Sequence, residues 1–410
     1  MIPDGWTYET LGNHIFVKHG FAFKSEYFYS DGQYVLLTPG SFHEKGGIRL
    51  IPEKLKYYIG SIPQEYILSR NDVLVVMTEQ APGLLGSAAL IPESNKYLHN
   101  QRLGLIKINN SKIIDVNFIY CIFNSWLIRQ PIEETASGTK VKHTSPSKIH
   151  EIIIPIPPLL EQCKIAEVLG VWDESIDLLE RLIGRVRSRK QGLMQQLLTG
   201  KKRFKEFESS EWRTVQLIEV AEVIVSPVDK LTVEGEISVL LCNYTHVYHN
   251  IRITKALNFM RATATEKEIA KFTLLKGDVI ITKDSETPND IAVPSYVSED
   301  LGNVVCGYHL SILRPRKNEI DGEYLSYLLS TAEIRYYFFT LANGATRFGL
   351  SVGSIEKAQF NLPSLPEQEK IAAVLSAADE EISTLEKQLA AYKQQKLGLM
   401  QQLLTGRIRI

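Results

Sequence analysis

One segment of this chain occurs twice, and this duplication limits the possible folds more than any other feature of the sequence. Residues 157–203 align with residues 363–409 without a gap, at an offset of 206 and with 25 identities in 47 positions. The nine residues 192–200 recur unchanged at 398–406. A repeat of 206 residues is far longer than a solenoid repeat, so the sequence predicts the duplication of a whole domain.

Weaker matches at the same offset extend outside the repeated segment. Trp6 aligns with Trp212, and the apolar run after Asp72 aligns with the run after Asp278, whereas the stretches between these matches differ. The chain is therefore two copies of one unit, a variable domain followed by a near-constant segment. We expect four parts, which span residues 1–156, 157–205, 206–362 and 363–410.

The near-constant segments are predicted to be helices that pair with each other. Their apolar residues recur in alternating steps of four and three, which is the spacing of a coiled-coil seam. Lys190 and Lys396 occupy polar seam positions, and Gly200 and Gly406 stand where each helix should end. The predicted seam residues are Ile165, Leu169, Trp172, Ile176, Leu179, Ile183, Ile371, Leu375, Ile382, Leu385 and Leu389.

Two alternatives for these helices remain open at this point. The apolar stripe is also compatible with a helix that packs on its own globular domain. Additional apolar residues lie off the seam, and they predict either a further interface with another protein or a contact with the variable domains. These residues are Val168, Leu178, Leu182, Leu365, Val374 and Leu404.

The variable domains have the pattern of an α+β fold. Residues 73–76 and 279–281 are apolar, rich in β-branched residues and preceded by polar turns, which predicts buried strands. Residues 118–128 and 324–338 are predicted to form one helix each, with aromatic faces. Four scattered cysteines have no metal-ligand or redox spacing, so we expect buried free thiols.

We find no motif for catalysis by this chain. The sequence has no phosphate-binding glycine loop and no metal-spaced set of histidines and cysteines. Asp278, Asp284 and Glu286 resemble a nuclease cluster only loosely, because the first copy offers no matching acids beyond Asp72 and Glu79. We therefore expect a non-enzyme with no metal and no cofactor of its own.

Polar loops at matched positions of the two copies are the candidate DNA-binding sites. They combine flexible glycines, hydroxyls, cations and amides, which are suited to phosphates and base edges. In the first copy the candidates are Lys24, Glu79, Gln80, Asn100, Gln101, Arg102, Thr139, Lys140, Lys142 and His143. In the second copy they are Lys283, Asp284, Ser285, Tyr308, His309, Thr346 and Arg347.

The charge is distributed unevenly along the chain, although the net charge is only −1. Residues 1–150 carry 15 Lys+Arg and 13 Asp+Glu, a balance of +2; residues 157–205 carry 10 and 6, which is +4; residues 206–362 carry 15 and 21, which is −6. No segment is strongly basic. If the chain binds DNA, partner proteins are expected to supply many of the phosphate contacts.

The repeated motifs resemble those of Type I restriction-modification specificity subunits. The resemblance rests on Pro-Pro-Leu-x-Glu-Gln-x-Lys-Ile-Ala from Pro157, on the helix end Leu-Met-Gln-Gln-Leu-Leu-Thr-Gly from Leu193, and on the duplication of both. It implies two target-recognition domains and an antiparallel coiled coil of two long helices with pseudo-twofold symmetry. Each domain would read one half of a bipartite target in double-stranded DNA, while the helices set the spacer.

The same resemblance implies the partners of the chain. Two modification (methyltransferase) subunits would dock on the helices and bind S-adenosylmethionine, and restriction/translocase subunits would join them in a cytoplasmic complex without a membrane. One alternative is a coiled-coil adaptor without base readout. The other is an enzyme with its own methyltransferase or nuclease site.

Overall fold

The computed structural model describes residues 3–79 and 82–410 and divides the chain into two compact units. Unit 1 comprises residues 1–180 and 387–410, and unit 2 comprises residues 181–386. Two 39-residue helices, Leu159–Leu197 and Leu365–Leu403, each begin in one unit and end in the other. We call the part of unit 1 before the first long helix lobe 1, and the part of unit 2 between the two long helices lobe 2.

Over its described residues, lobe 1 is built from short strands, three α-helices and short 3-10 turns. Its antiparallel four-stranded sheet has the order Ile15–His19, Leu103–Ile108, Val73–Val76, Ala88–Leu90. A second sheet has the order Phe28–Tyr29, Tyr57–Tyr58, Tyr34–Leu37, Tyr97–His99, with the last pair parallel. Two ladders join Thr7–Thr10 to Ile153–Ile156 and Thr78–Glu79 to Lys142–His143. The helices are Val116–Phe123, Trp126–Glu134 and Pro146–His150.

Lobe 2 repeats this plan with a five-stranded main sheet and a three-stranded second sheet. The main sheet has the order Ala221–Val225, Leu310–Pro315, Val279–Thr282, Pro294–Val297, Arg252–Ile253, and a second sheet has the order Met260–Ala264, Ile237–Cys242, Val304–Cys306. Two ladders join Arg213–Gln216 to Gln359–Leu362 and Asp284–Ser285 to Phe348–Gly349. The helices are Leu217–Val220, Tyr244–His249, Glu266–Phe272, Gly322–Leu329, Ala332–Leu341 and Val352–Glu356.

The offset of 206 therefore relates most elements of the two lobes. Strand Val73–Val76 corresponds to Val279–Thr282, and helix Val116–Phe123 corresponds to Gly322–Leu329. All four residues of each of these strands are buried, as the sequence predicts. The predicted α+β class, with a tandem repeat and two long helices, is confirmed. Among the residues described, no helix is both long and apolar enough to cross a membrane.

The prediction of one helix in each of residues 118–128 and 324–338 is wrong, because each segment forms two helices. In lobe 1 the break lies at Asn124, whose side-chain amide exchanges hydrogen bonds of 2.9 and 3.1 Å with the backbone of Ala88. In lobe 2 the hydroxyls of Ser330 and Thr331 bond the carbonyls of Ser326 and Leu328 at 3.0 and 2.7 Å. The amide of Asn124 also donates to the helical carbonyl of Tyr120 at 3.2 Å. In each case a side chain therefore competes with the helical hydrogen bonds of the backbone where the helix ends.

The repeated Glu-Gln pair joins each long helix to its lobe. Glu161 is buried and accepts hydrogen bonds from the indole of Trp6 (3.1 Å) and from Arg409 (2.8 and 3.1 Å). The next residue, Gln162, is fully buried, donates to the carbonyls of Pro157 and Ile113 (both 2.8 Å) and accepts from the backbone of Asp115 (2.9 Å). These contacts fix the angle at which the helix leaves lobe 1. We call them the junction of unit 1.

Unit 2 contains an equivalent junction. Glu367 accepts from Trp212 (3.3 Å) and from Nη2 and Nε of the Arg203 guanidinium (2.6 and 2.9 Å). Gln368 donates to Pro363 (2.9 Å) and accepts from the backbone of Asp321 (2.9 Å). The guanidinium of Arg409, together with Trp6, holds the pKa of Glu161 below its usual range in the first junction. The repeated sequence therefore encodes one contact pattern twice.

Within each unit the two long helices run antiparallel. In unit 1, Glu161 contacts Arg409, Asp173 contacts Lys396 at 2.5 Å, and Glu180 contacts Lys393 at 2.6 Å. Residue numbers thus rise along one helix as they fall along the other. In unit 2, Arg187 contacts Glu386 and Lys190 contacts Asp379, both at 2.5 Å.

The predicted seam residues are all buried or half-buried, and several also contact a lobe. Ile165 and Leu169 belong to the core of lobe 1, and Ile371 and Leu375 belong to the core of lobe 2. The remaining seam residues are Trp172, Ile176, Leu179, Ile183, Ile382, Leu385 and Leu389. The ends of each long helix pack on a lobe. Between these ends the helices contact each other, and the ring centroids of Trp172 and Tyr392 lie 5.4 Å apart. The apolar stripe therefore serves both as a helix–helix seam and as a contact with the lobes.

The off-seam apolar residues separate into two groups. Leu404 lies in the core of lobe 1, while Val168 and Val374 pack against the lobe cores, so for these three the expectation of a further interface is wrong. They face the lobes because the stripe continues past the seam at both helix ends. Leu365 is half-buried, whereas Leu178 and Leu182 are exposed.

The seam lysines form equivalent ion pairs with aspartates of the opposite helix, and these pairs give a test of the seam. Lys190 and Asp379 are only 15% and 12% exposed, and Asp379 also accepts from the hydroxyl of Tyr327 at 2.6 Å. We expect Asp379→Ala to lower the free energy of unfolding by about 3 kcal/mol, because it leaves an ammonium and a hydroxyl without their partner in a buried site. Urea titration measures this loss.

The pair Lys393–Glu180 is the matched control, since both side chains are more than 40% exposed. We expect Lys393→Ala to cost under about 0.5 kcal/mol. The double replacement of Lys190 by Met and Asp379 by Leu should recover most of the loss, because it removes both charges together. Equal losses for Asp379→Ala and Lys393→Ala would contradict a role for the buried pair in the seam.

Candidate nucleic-acid interface

Each lobe presents one short loop that closes on itself at an equivalent place. In lobe 1, Ser137 and His143 exchange two backbone hydrogen bonds of 3.0 and 2.8 Å. In lobe 2, Asn343 and Gly349 do the same at 3.1 and 2.9 Å. The offset of 206 relates both ends of the two loops. We call them loop 137–143 and loop 343–349.

A glycine shapes each loop. Gly138 has φ +98° and Gly344 has φ +149°, conformations that other residues rarely adopt. A Cβ atom at Gly138 would lie 2.1 Å from the carbonyl oxygen of Val141, and one at Gly344 would lie 1.8 Å from that of Arg347. The loops thus share a backbone frame that requires glycine, while the side chains that they carry differ.

In lobe 1 the structure brings several of the predicted residues together. The strand Lys142–His143 pairs with Thr78–Glu79, and Nδ1 of His143 lies 3.2 Å from the hydroxyl of Thr78. Thr139 and Lys140 are exposed on the loop, and Lys142 contacts Glu133 at 2.9 Å. The loop therefore offers two cations and two hydroxyl-bearing residues at one edge of the lobe.

Arg102 lies beside the same edge. Its carbonyl accepts from the backbone of Met77 at 3.0 Å, and the carbonyl of Met77 accepts from Thr144 at 2.9 Å. Asn100 is buried, and its side chain accepts from the backbone N–H of Arg102 at 3.0 Å, so it shapes this turn. Gln101 and Arg102 are exposed.

Three other candidates in lobe 1 are placed differently. Glu79 is buried, and its carboxylate accepts from the backbone N–H of Leu85 at 2.5 Å. Glu79 therefore stabilises the turn in which Ser87 donates to the carbonyl of Leu84. Lys24 is exposed, with Glu26 at 3.9 Å, at the start of the helical turn Ser25–Tyr27. Gln80 lies outside the described residues.

In lobe 2 the predicted residues form a connected network. Asp284 contacts Lys283 at 3.6 Å and His309 at 3.1 Å, and His309 contacts Arg347 at 3.2 Å. The ladder between Asp284–Ser285 and Phe348–Gly349 ties this network to loop 343–349. Ser285 is buried, whereas Tyr308, Thr346 and Arg347 are exposed.

Two tyrosines that we did not predict adjoin this network. Tyr244 and Tyr248 stack with their ring centroids 5.5 Å apart. The Tyr244 hydroxyl donates to Ser285 at 3.3 Å, and the Tyr248 hydroxyl donates to Asp290 at 2.9 Å. Their spacing of four residues on a helix was the signal that could have identified them as a pair.

One acid considered for catalysis has a structural partner. Asp278, an acid that we considered for a nuclease-like cluster, is buried and held by Arg314 through bonds of 2.9 and 2.8 Å. Across residues 3–79 and 82–410 no group of three potential metal ligands occurs.

Cys121, Cys242 and Cys306 are buried, and burial raises the pKa of Cys121 and Cys242 to about 12. Cys163 is exposed, so the expectation of four buried thiols is wrong at that position, which the antiparallel helix leaves uncovered.

Comparisons with known proteins identify the family of both repeats. A model of the Type I restriction modification DNA specificity domain matches residues 3–187 and again residues 209–392. The chain is 23% identical over 366 residues to the specificity subunit of the Type I restriction enzyme MjaVIII of Methanocaldococcus jannaschii, covering 85% of this chain and 81% of that protein. It is 23% identical over 423 residues to the EcoBI specificity subunit of Escherichia coli, covering 95% and 82%.

A solved structure shows the same fold. The crystal structure of the S subunit of a Type I restriction-modification system from M. genitalium matches with a TM-score of 0.62 and 16% sequence identity, over 97% of this chain and 96% of that one. At this identity the match concerns the arrangement of helices and strands.

A buried histidine beside the Arg102 turn predicts how stability depends on pH. Burial lowers the pKa of His99 to about 4, and its Nε2 bonds the carbonyl of Leu103 at 2.9 Å. An unfolded histidine titrates near 6.5, so between these values the unfolded chain binds more protons. The contribution of His99 to the free energy of unfolding should therefore be fully present above about pH 6.5. It should fall by roughly 3 kcal/mol as the pH drops to about 4.

Urea unfolding of the wild type and of His99→Gln over this pH range measures the effect. Glutamine can donate to the Leu103 carbonyl but does not titrate, so the variant should lose less stability on acidification. A variant whose stability falls as steeply as that of the wild type would show that His99 is not the group responsible.

Proposed function

Because this chain belongs to the Type I restriction-modification DNA specificity family, we propose that it binds a bipartite target in double-stranded DNA, with lobe 1 reading one half and lobe 2 the other. One observation carries the proposal: loops 137–143 and 343–349 have the same backbone frame but different side chains. A duplicated frame with unlike contents suits two different base sequences. Direct readout comes from side chains of this kind at base edges.

The assignment of parts follows from the repeat. Residues 1–156 and 206–362 would be the two recognition domains, and residues 157–205 and 363–410 would be the helical spacer that fixes the distance between the half-sites. The junctions support this division, because Glu161 with Gln162, and Glu367 with Gln368, join a helix rigidly to a lobe in each unit. A rigid connection is what a fixed spacing between half-sites requires.

We propose that the chain contributes recognition and that its partners contribute the chemistry. Two modification subunits that bind S-adenosylmethionine would dock on the long helices, and restriction/translocase subunits would complete the complex. Exposed apolar side chains on the first long helix support a docking surface there: Leu160, Val171, Leu178 and Leu182. The acidic balance of residues 206–362 also favours partners that supply phosphate contacts.

Two experiments test the proposal as a whole. Methylation-sensitive sequencing of host DNA should reveal a split motif with a constant spacer. A gel shift of the complex reconstituted with its modification subunits should show binding to that motif and not to a scrambled one. Equal binding to both DNAs would support the alternative of a structural adaptor without base readout.

Arg102 gives a prediction at the level of one residue. Its guanidinium is exposed beside loop 137–143 and can donate two parallel hydrogen bonds to a guanine edge. We expect Arg102→Ala to cost about 1–3 kcal/mol in binding and to relax sequence choice at one base pair of the half-site that lobe 1 reads. The measurement is binding of the reconstituted complex to single-base variants at two salt concentrations.

The outcomes for Arg102 distinguish three roles. A uniform loss on all DNAs, with a salt dependence that is flatter by about one unit, would indicate a phosphate contact. Altered discrimination in both half-sites would contradict one lobe per half-site. No change would place Arg102 in the fold alone.

The long helices give a prediction about the spacer. Inserting one heptad after Ile183 and a matching heptad after Leu389 should lengthen each helix by ~10 Å and the spacer by ~3 base pairs, while the half-site sequences stay the same. Both insertions are needed because a single one would shift contacts such as Lys190–Asp379 out of register. Methylome sequencing that found new half-sites with the old spacer would reverse the roles of lobes and helices.

A further inference from the structure

Three side chains of lobe 2 form a chain of hydrogen bonds that ends at an exposed arginine. The carboxylate of Asp284 lies 3.1 Å from Nδ1 of His309, and Nε2 of His309 lies 3.2 Å from the guanidinium of Arg347. The side chains of Asp284 and His309 are only 20% and 16% exposed, whereas Arg347 lies on the surface. The contacts run outward from a carboxylate to a cation through one imidazole ring.

The chemistry of the three groups allows one arrangement of protons. Arginine is always protonated and can only donate, so Nε2 of His309 must offer a lone pair to it. The proton of a neutral imidazole then sits on Nδ1, where Asp284 accepts it. Protonation of His309 would convert Nε2 into a donor and place a positive charge beside the guanidinium.

We propose that Asp284 and His309 are positioning residues that hold Arg347 in the orientation in which loop 343–349 presents it to DNA, and that this requires a neutral His309. The proposal rests on the proposed function, because it takes Arg347 as a DNA contact of lobe 2. It adds how lobe 2 orients that contact and a condition, proton release from His309, under which it does so.

The backbone around these residues supports a fixed geometry. Asp284 pairs with Gly349 in the ladder, and the N–H of Lys283 donates to the carbonyl of His309 at 2.9 Å. A Cβ atom at Gly349 would lie 3.0 Å from the Oδ1 atom of Asp284, so the carboxylate packs against the base of the loop. Main-chain hydrogen bonds therefore join three parts of the lobe: the strand of Asp284, the residue His309 and the loop of Arg347. The side-chain bonds add to these.

Charged groups lie at both ring nitrogens of His309. Asp284 faces its Nδ1, Arg347 faces its Nε2, Lys283 lies 3.6 Å from Asp284, and the ring of Tyr308 packs against the imidazole. Two of the three charged groups are cations. A protonated His309 would be a third, and it would repel the arginine that it held before.

Lobe 1 lacks this arrangement and so provides an internal control. At the offset of 206, the positions of Asp284, His309 and Arg347 are occupied by Thr78, Leu103 and Val141. The loop histidine of lobe 1, His143, contacts the neutral hydroxyl of Thr78 at 3.2 Å. A hydroxyl can donate or accept, so protonation of His143 displaces no cation.

The experiment uses the full chain reconstituted with its modification subunits. Binding is measured between pH 6.0 and 8.0 to the bipartite target and to single-base variants in each half-site, for the wild type and for Arg347→Ala, Asp284→Ala, Asp284→Asn and His309→Gln. Asparagine at 284 keeps an oxygen acceptor for Nδ1–H and is the conservative rescue. Glutamine at 309 keeps an acceptor for Arg347 but does not titrate in this range.

We expect Arg347→Ala to lose roughly tenfold in affinity or base discrimination, confined to the half-site of lobe 2. The wild type should show the same loss progressively as the pH falls. Asp284→Ala should approach the Arg347→Ala value at every pH, while Asp284→Asn should remain close to the wild type. His309→Gln should have a flat pH profile, and the half-site of lobe 1 should keep its discrimination in every variant.

Distinct results would overturn the inference and the function it rests on. Loss of lobe 2 binding in Arg347→Ala, with unchanged binding in Asp284→Ala and a flat wild-type profile, would refute the positioning role and leave Arg347 as a DNA contact. An Arg347→Ala variant that binds like the wild type would refute both the contact and its positioning. Failure of the complex to distinguish any bipartite target from random DNA would refute the proposed function itself.

Discussion

Two buried glutamates hold this protein together where its lobes meet its long helices. Glu161 and Glu367 each accept hydrogen bonds from an indole and a guanidinium, and the glutamine that follows each of them bonds backbone groups of the lobe. A buried carboxylate is costly unless it is paired and hydrogen-bonded, so each junction stabilises the fold only as a complete set. These junctions fix the position of each lobe on its helix.

The seam between the two long helices also contains paired charges. Lys190 and Lys396 are polar residues in an apolar seam, and each finds an aspartate on the opposite helix at 2.5 Å. Such a pair adds little net stability compared with an apolar seam, but a shift in register would leave both charges without partners. A pair at equivalent positions in each unit therefore favours one register of the two helices.

Much of this organisation could be predicted from the sequence, and the failures have physical causes. The strands Val73–Val76 and Val279–Thr282 were predictable because they are short, apolar and preceded by turns. The helix breaks at Asn124 and Ser330 were missed because side-chain hydrogen bonds, and not glycine or proline, end those helices. Glu79 was mistaken for a surface residue, because its acceptor role toward Leu85 depends on a turn that the sequence pattern does not encode. Tyr244 and Tyr248 were missed because no sequence pattern indicates that their helix lies beside Ser285.

The sequence by itself determined the duplication, the long helices, their ends three residues before Gly200 and Gly406, and the family. These depend on local periodicity and on identities at a constant offset. Only the tertiary structure decided which polar residues meet. Asp284, His309 and Arg347 are far apart in the chain, and they form one network because two strands and a closed loop bring them to the same edge of lobe 2. Contacts of this kind depend on how the backbone folds over long separations, which a pattern of neighbouring residues does not specify. The repeat determines the backbone of the two loops, and the packing of each lobe determines which side chains lie beside them.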